Sequence, residues 1–225
     1  MTMTSAEGND NTAAARFTPI ADVDLDTYAR LIAAVLIRGI RAEEMDCFTT
    51  AAGISPSRWA LARAGWMARI REHEDVRDAY ALSYRRAVLD VTLTGTMRMT
   101  RAALRHMGPR GSGAIVNNAS VVGWRAQEGQ SHYAAAKAGV MALTRCAAVE
   151  AAASGVRVNA VAPSLAMHPH LAKVTTEELL AELATREAFG RAAEPWEVAN
   201  VIVFLASDLA SYMTGEVVSV SSQHP

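Results

Sequence analysis

Cysteine is scarce: only Cys47 and Cys146 occur in 225 residues, and they lie far apart. One distant pair is a poor disulfide framework and too few for a zinc site, so both are read as reduced thiols. An excess of either charge is also lacking, since 22 Lys and Arg face 23 Asp and Glu. That excludes the electrostatic pull on which binding to nucleic acid or an anionic membrane depends. Long apolar runs are missing too; Leu31 to Ile37, the most apolar stretch, is far too short to span a bilayer. No basic region followed by an apolar run opens the chain, so a cytoplasmic protein without a signal peptide is expected. His168-Pro169-His170 has no neighbouring carboxylate or cysteine in sequence and reads as a loop, leaving no expected metal site.

What is present is ordinary for a globular protein, with a 51% hydrophobic fraction that supports a real core. The chain changes character near residue 87. Residues 1–20, rich in Thr, Ala, Asn and Asp, read as a disordered tail. Residues 21–86 read as an all-α module of four short helices. Asp24 or Asp26 caps the first, and Gly39 interrupts it. The second runs over 42–52, with Gly53 as its stop. The third opens on Ser55 as N-cap and Pro56 in the first turn, and places Trp59, Ala62, Trp66 and Ile70 on one face. The fourth covers 75–86. Trp59 and Trp66 form either a binding stripe or, more simply, part of the core.

After residue 87, strands and helices alternate. A helix over 88–107 is followed by the turn Gly108 to Gly113, a strand over 114–117 and a helix over 131–153. A strand over 156–161, helices over 175–189 and 195–206, and a strand over 216–220 complete the pattern. Thr175 or Thr176 caps the first of those two helices. Such alternation predicts parallel pairing and an α/β layer structure.

Within this part, Tyr133 and Lys137 are four apart on one helix and share a face. Ser120 closes the preceding strand. Protonating the alkoxide that develops when a carbonyl is reduced needs an acid. A phenol with its ordinary pKa near 10 is slow at this unless a nearby cation favours its ionised form. A lysine one turn away supplies that cation, and a serine hydroxyl can hold the carbonyl oxygen. On spacing alone, such a Tyr–Lys pair arises on many surface helices.

The surrounding text is more specific. It includes Val88 to Thr96, Gly113-Ala114-Ile115-Val116-Asn117-Asn118-Ala119-Ser120, Tyr133-Ala134-Ala135-Ala136-Lys137, and Val156-Arg157-Val158-Asn159-Ala160-Val161-Ala162-Pro163. Gly190-Arg191-Ala192-Ala193-Glu194-Pro195 and Tyr212-Met213-Thr214-Gly215 follow. Residues 87–225 resemble the C-terminal part of a short-chain dehydrogenase/reductase, in that family's block order and spacing. The resemblance implies an NAD(P)-dependent carbonyl/alcohol oxidoreductase, with NAD or NADP as cofactor. Tyr133 would be the acid/base, Ser120 would orient the carbonyl, and Lys137 would hold the nicotinamide ribose and lower the tyrosine pKa. Pro163 and the backbone near Ala166 would line the nicotinamide pocket. The family's Asn in a water-linked proton path is Thr92 here. Trp124-Arg125-Ala126-Gln127 and the ending Gln223-His224-Pro225 resemble a branch acting on steroid-derived, often CoA-linked, ketones.

One departure outweighs the others. The family opens with a strand and a Gly-x-x-x-Gly-x-Gly turn at a helix N-terminus, where backbone amides bind the pyrophosphate. Before Gly95 this chain has four glycines, Gly8, Gly39, Gly53 and Gly65, no two within seven positions. The expected architecture is therefore a partial Rossmann-like three-layer α/β fold. Its short parallel sheet would lack the first strands, an all-α module would precede it, and NAD(P) binding would be weak or absent. Gly53-Ile54-Ser55 with Trp59, then Gly65-Trp66 with Arg69, resemble a helical module of uncharacterised bacterial proteins.

The expected partners are a small ketone or alcohol, and a second copy in a homodimer or homotetramer, or a full-length relative. The helices over 88–107 and 131–153 match the family's interface helices. The alternative function is a non-catalytic interaction protein, or a fused or truncated remnant. The serine strand would have no neighbour on one side, and the helices of 24–86 are expected to cover that edge in part. Slow amide exchange at Ile115 and Val116 is the expected result, and fast exchange counts against it.

Overall fold

The computed structural model describes residues 13–167, 171 and 176–222. The chain divides into two compact units, Met1–Val88 and Leu89–Pro225.

The first unit is helical. Helix α1 (Leu25–Arg38) starts where the Asp24 side chain accepts from Thr27 N at 2.6 Å, and ends at Gly39, whose φ of 64° suits a residue without Cβ. A 3₁₀ turn (Ala42–Glu44) leads into α2 (Met45–Ala51), which Gly53 follows at φ 78°. Helix α3 (Pro56–Glu72) has Ser55 as its cap and Pro56 in its first turn. Helix α4 spans Glu74–Leu89. Tyr28, Leu31, Ile54, Trp59, Trp66 and Val76 form the core. Trp66 is fully buried and its Nε1 donates to the Val23 carbonyl at 2.9 Å, so the two tryptophans are core.

The expected tail over 1–20 needs correcting where it is described. Residues 13–15 form a helical turn, and Arg69 donates to the carbonyls of Arg16 (3.0 Å) and Thr18 (2.6 Å) while stacking on Trp66. Ile20 pairs with Val23 in an isolated bridge. The polar composition hid these contacts because they come from α3, about fifty residues away. The rest of that tail lies outside the described residues.

The second unit opens on a π-helical turn (Asp90–Thr94) and α5 (Gly95–Met107), so the single helix expected over 88–107 is split. A π turn bonds i to i+5, here Gly95 N to Asp90 O, and the wider turn leaves the apolar periodicity nearly intact. Next come β1 (Gly113–Asn118), α6 (Ser131–Ala152) and β2 (Val156–Pro163). Helices α7 (Glu177–Thr185) and α8 (Pro195–Ala206) precede β3 (Val217–Val220). Thr176 caps α7, accepting from Leu179 N, and the helix is shorter than the expected 175–189.

The strands form one parallel sheet in the order β1-β2-β3, with Asn117 beside Ala160 and Ala160 beside Val217. Alternation along β2 sorts its two faces. Val156, Val158, Ala160 and Ala162 meet the apolar stripe of α6, including Val140, Met141 and Ala148. Val161 turns the other way, to Leu205 and Ala210, with Val198 and Ile202 of α8 beside them. Helix, sheet and helix give three layers, an α/β Rossmann-like arrangement with a short sheet. Arg157 ties one layer to the next by donating to the carbonyls of Leu205 and Ser207 at the end of α8. Among the described residues no helix is long and apolar enough to cross a membrane.

Candidate active site

The C-terminal ends of β1 and β2 open onto a cavity of about 500 Å³, as ligand crevices do in parallel sheets. Ser120, Tyr133, Pro163 and Ala166 all line it, with Asn118, Leu165 and Val198 among their neighbours. Four of the six residues singled out from the sequence thus share one space. Lys137 sits beside it, and Thr92 does not line it.

Ser120 leaves β1 with its backbone still extended, and its hydroxyl accepts from Val122 N at 3.3 Å, opening a 3₁₀ turn (Val121–Gly123). That turn lies tight against α6. A Cβ on Gly123 would stand 3.0 Å from Ala138 N and 3.1 Å from the Lys137 carbonyl carbon, backbone atoms that cannot step aside. Gly123 therefore lets the serine turn approach the helix that carries Tyr133 and Lys137. Gly123→Ala is expected to destabilise the second unit by about 1–3 kcal/mol and to loosen the Ser120–Tyr133 contact. Denaturant midpoints check the first effect, and an unchanged midpoint would contradict it.

Tyr133 is hydrogen-bonded to the Ser120 hydroxyl. Burial raises its pKa above 10, and the bond to Ser120 only partly opposes this. The resemblance implied the opposite direction, set by Lys137. The lysine Nζ does lie 5.5 Å from the Tyr133 ring centroid, but Lys137 is itself only 7% exposed and donates to the Asn118 carbonyl at 2.7 Å. Burial holds Lys137 down at about 8, so near neutral pH the cation is less secure than a surface lysine.

This has a consequence for stability. Between about pH 8 and 10.5 the unfolded chain holds the Lys137 proton and the folded chain has released it. Stability contributed at this position is lowest below pH 8 and rises with pH through that window, by about 3 kcal/mol at most. Subtracting the profile of Lys137→Met from that of the parent isolates the effect. The parent-minus-variant difference is expected to rise as pH goes from 7.5 to 10, and a constant difference would contradict it.

Thr92 is buried, at 4% exposure, on the π turn. Its carbonyl accepts from Thr96 Oγ1 at 2.6 Å, while its own hydroxyl makes no hydrogen bond among the described residues. A buried polar group in that state normally has a water or ligand partner. Ala166 pairs with Ala193, and Met167 N donates to the Ala193 carbonyl, which fixes the wall beyond Pro163. His168 to His170 and Gln223 to Pro225, picked out from the sequence, lie outside the described residues. Among the described residues no cluster could hold a metal.

The fit to a dinucleotide is divided. Tyr133, Pro163 and Ala166 line one cavity with Lys137 beside it, the set to which the resemblance assigns a nicotinamide and its ribose. Among the described residues the phosphates have no match. In the first unit Gly39 and Gly53 follow helix C-termini, and Gly65 lies inside α3 against Ile20. The N-terminal turns of α1, α2 and α4 carry Asp24 and Asp26, Asp46, and Glu74 and Asp75. Those carboxylates occupy the positive ends that a phosphate would need.

Sequence reading missed Gly123, the Asn118 carbonyl and Arg186, and took Arg125 only as part of the Trp124–Gln127 stretch; both arginines also line the cavity.

A family model described as enoyl-(acyl carrier protein) reductase matches residues 18–222. A Mycobacterium tuberculosis protein is 69% identical over 61% of this chain and 53% of its own length. It is a (5R,7aS)-5-hydroxy-7a-methyl-1-oxo-2,3,5,6,7,7a-hexahydro-1H-indene-carboxyl-CoA reductase. A cis-4-hydroxycyclohexanecarboxylate dehydrogenase from Sinomonas cyclohexanicum is 50% identical over 60% of this chain and 54% of its own. The crystal structure of a 3-oxoacyl-[acyl-carrier protein] reductase with bound NAD from Brucella melitensis is 36% identical. Its TM-score is 0.56, over 60% of this chain and 50% of that one. The chain spans about half the length of these relatives. With the layered sheet, the cavity at its strand ends and a family match across most of its length, the chain belongs to the short-chain dehydrogenase/reductase family.

Proposed function

We propose that this chain is the substrate-holding, acid–base half of a carbonyl/alcohol oxidoreductase. The observation that carries the reading is the Ser120–Tyr133 hydrogen bond at the wall of the cavity, with the Lys137 ammonium beside the tyrosine ring. Ser120 Oγ and Tyr133 Oη together hold the carbonyl oxygen. With a nicotinamide coenzyme bound, hydride would reach the carbonyl carbon from its reduced ring; Tyr133 Oη gives the oxygen its proton as the alcohol forms, and takes it back in the reverse direction. Lys137 favours the phenolate left behind, and Thr92 Oγ1 supports a water-linked path by which the tyrosine is reprotonated. The coenzyme class is NAD or NADP, in keeping with the NAD-bound relative, and the phosphate side of this chain does not fit it. The substrate class is an alicyclic ketone or alcohol, steroid-derived or linked to CoA, in keeping with what the two curated relatives act on.

The test is product formation. The chain, a cyclic ketone CoA thioester and millimolar NADH or NADPH are incubated, and the alcohol is followed by mass spectrometry. Slow formation that depends on the chain supports the reading, and none with either coenzyme removes it.

A second reading has its own observation. Met97 and Met99 on α5 and Val149 on α6 are exposed, at 47%, 71% and 80%. Apolar side chains on those helices suit pairing with a second copy or a full-length relative. A monomer by light scattering, with and without such a relative, would remove it.

A further inference from the structure

We infer that Arg125 and Arg186 form an anion-recognising pair on the cavity, selecting ketones or alcohols that carry a negative charge. The inference rests on the proposed carbonyl site and adds what that site selects.

Among the described residues, Arg125 and Arg186 are the only ionised residues that line the cavity with Ser120 and Tyr133, and no carboxylate residue lines it. Most of the remaining wall is apolar, with Val121, Leu165, Met167 and Val198 among the residues. In such surroundings two guanidinium groups favour a ligand that brings opposite charge. Arginine also matches carboxylate and phosphate with paired hydrogen bonds.

The two arginines come from distant segments, and both backbones are fixed. Arg125 N donates to the Val121 carbonyl at 3.0 Å, at the end of the turn that Gly123 seats on α6. Arg186 follows α7, and its neighbour Glu187 is a buried anchor, 3% exposed. The Glu187 carboxylate accepts from Ser164 Oγ (3.0 Å), Leu165 N (3.3 Å) and Ser222 Oγ (2.8 Å). That pins the chain beside Arg186 to the wall after β2. Glu182 already meets Arg186 at 2.7 Å, but both side chains are 59% exposed. Exposed pairs of this kind are weak and yield to a better-placed anion.

The charge has two possible sources, a carboxylate on a compact ring or the phosphates of a CoA tail. Calorimetry on the full chain with three probes separates them: 4-oxocyclohexanecarboxylate, its CoA thioester and its neutral methyl ester. At least one anionic probe is expected to bind about tenfold or more tighter than the ester. Preference for the carboxylate assigns the pair to a compact anion, and preference for the thioester alone assigns it to the phosphate tail. In the double variant Arg125→Met, Arg186→Met the ratio is expected to fall to about one. In Arg145→Met, on the exposed side of α6, it is expected to persist. Because the ratio compares two ligands on the same protein, a loss of fold cannot imitate it. Equal binding by the parent, a preference that survives the double variant, or no binding of any probe at millimolar concentration would each overturn the inference. Anion preference without any ketone reduction would leave it standing and remove the proposed reaction. Reduction of ester and anions alike would do the reverse.

Discussion

Tyr133→Phe is expected to slow alcohol formation by about 10²–10⁴-fold, the range removed with a positioned general acid. Phenylalanine keeps the ring that packs beside Lys137 and takes away only the hydroxyl bonded to Ser120. The fold and the cavity should therefore survive, and the loss should fall on kcat with little change in substrate affinity. The direction of the Tyr133 pKa adds a second signature. Burial keeps the phenol protonated well past neutrality, so reduction should vary little between pH 6 and 9 on its account. Alcohol oxidation needs the phenolate and should climb across that interval. Equal rates for the parent and the variant would show that the proton comes from elsewhere.

The second large effect concerns the coenzyme. Each hydrogen bond to a charged group contributes about 1.5–3 kcal/mol. A chain that forgoes two such contacts to the phosphates gives up about 3–6 kcal/mol, which is on the order of 10²–10⁴ in affinity. The N-termini of α1 and α4 make matters worse, since Asp24, Asp26, Glu74 and Asp75 present negative charge where an anion would dock. Dissociation constants for NADH and NADPH are expected to be that much weaker than those of the longer NAD-binding relatives. Nicotinamide fluorescence during titration measures this, and micromolar binding would contradict it.

Local chemistry was legible in the sequence, and contacts between distant segments were not. Ser55 and Pro56 announce α3 because a cap acts within one turn. The strands over 113–118 and 156–163 stand out because each is a short run rich in Val, Ile and Ala bounded by turn residues, Gly113 opening one and Gly155 and Pro163 around the other. The π turn at Asp90–Thr94 escaped notice because it shifts the helical phase by a single residue. Residues 13–20 read as a tail because the partner that orders them, Arg69, lies on α3.

The site divides the same way. The Tyr133–Lys137 spacing and the order of the blocks brought out Ser120, Pro163 and Ala166. Nothing local could say that Lys137 points at the Asn118 carbonyl, or that its burial would hold it at about 8. Nor could spacing bring Arg186 to the cavity that Ser120 opens, because that meeting depends on Glu187 gripping Ser164 and Ser222.

On the proposed reading the ribose side of a nicotinamide site lies at Tyr133 and Lys137, and among the described residues the diphosphate side has no counterpart. Comparing NADH with reduced nicotinamide mononucleotide, which lacks the adenylate half, tests this directly. Titrated into the same preparation, the two are expected to show dissociation constants within about threefold of each other, a gap under 1 kcal/mol. NADH binding a hundredfold tighter would mean that the chain grips the adenylate side, and would contradict the account.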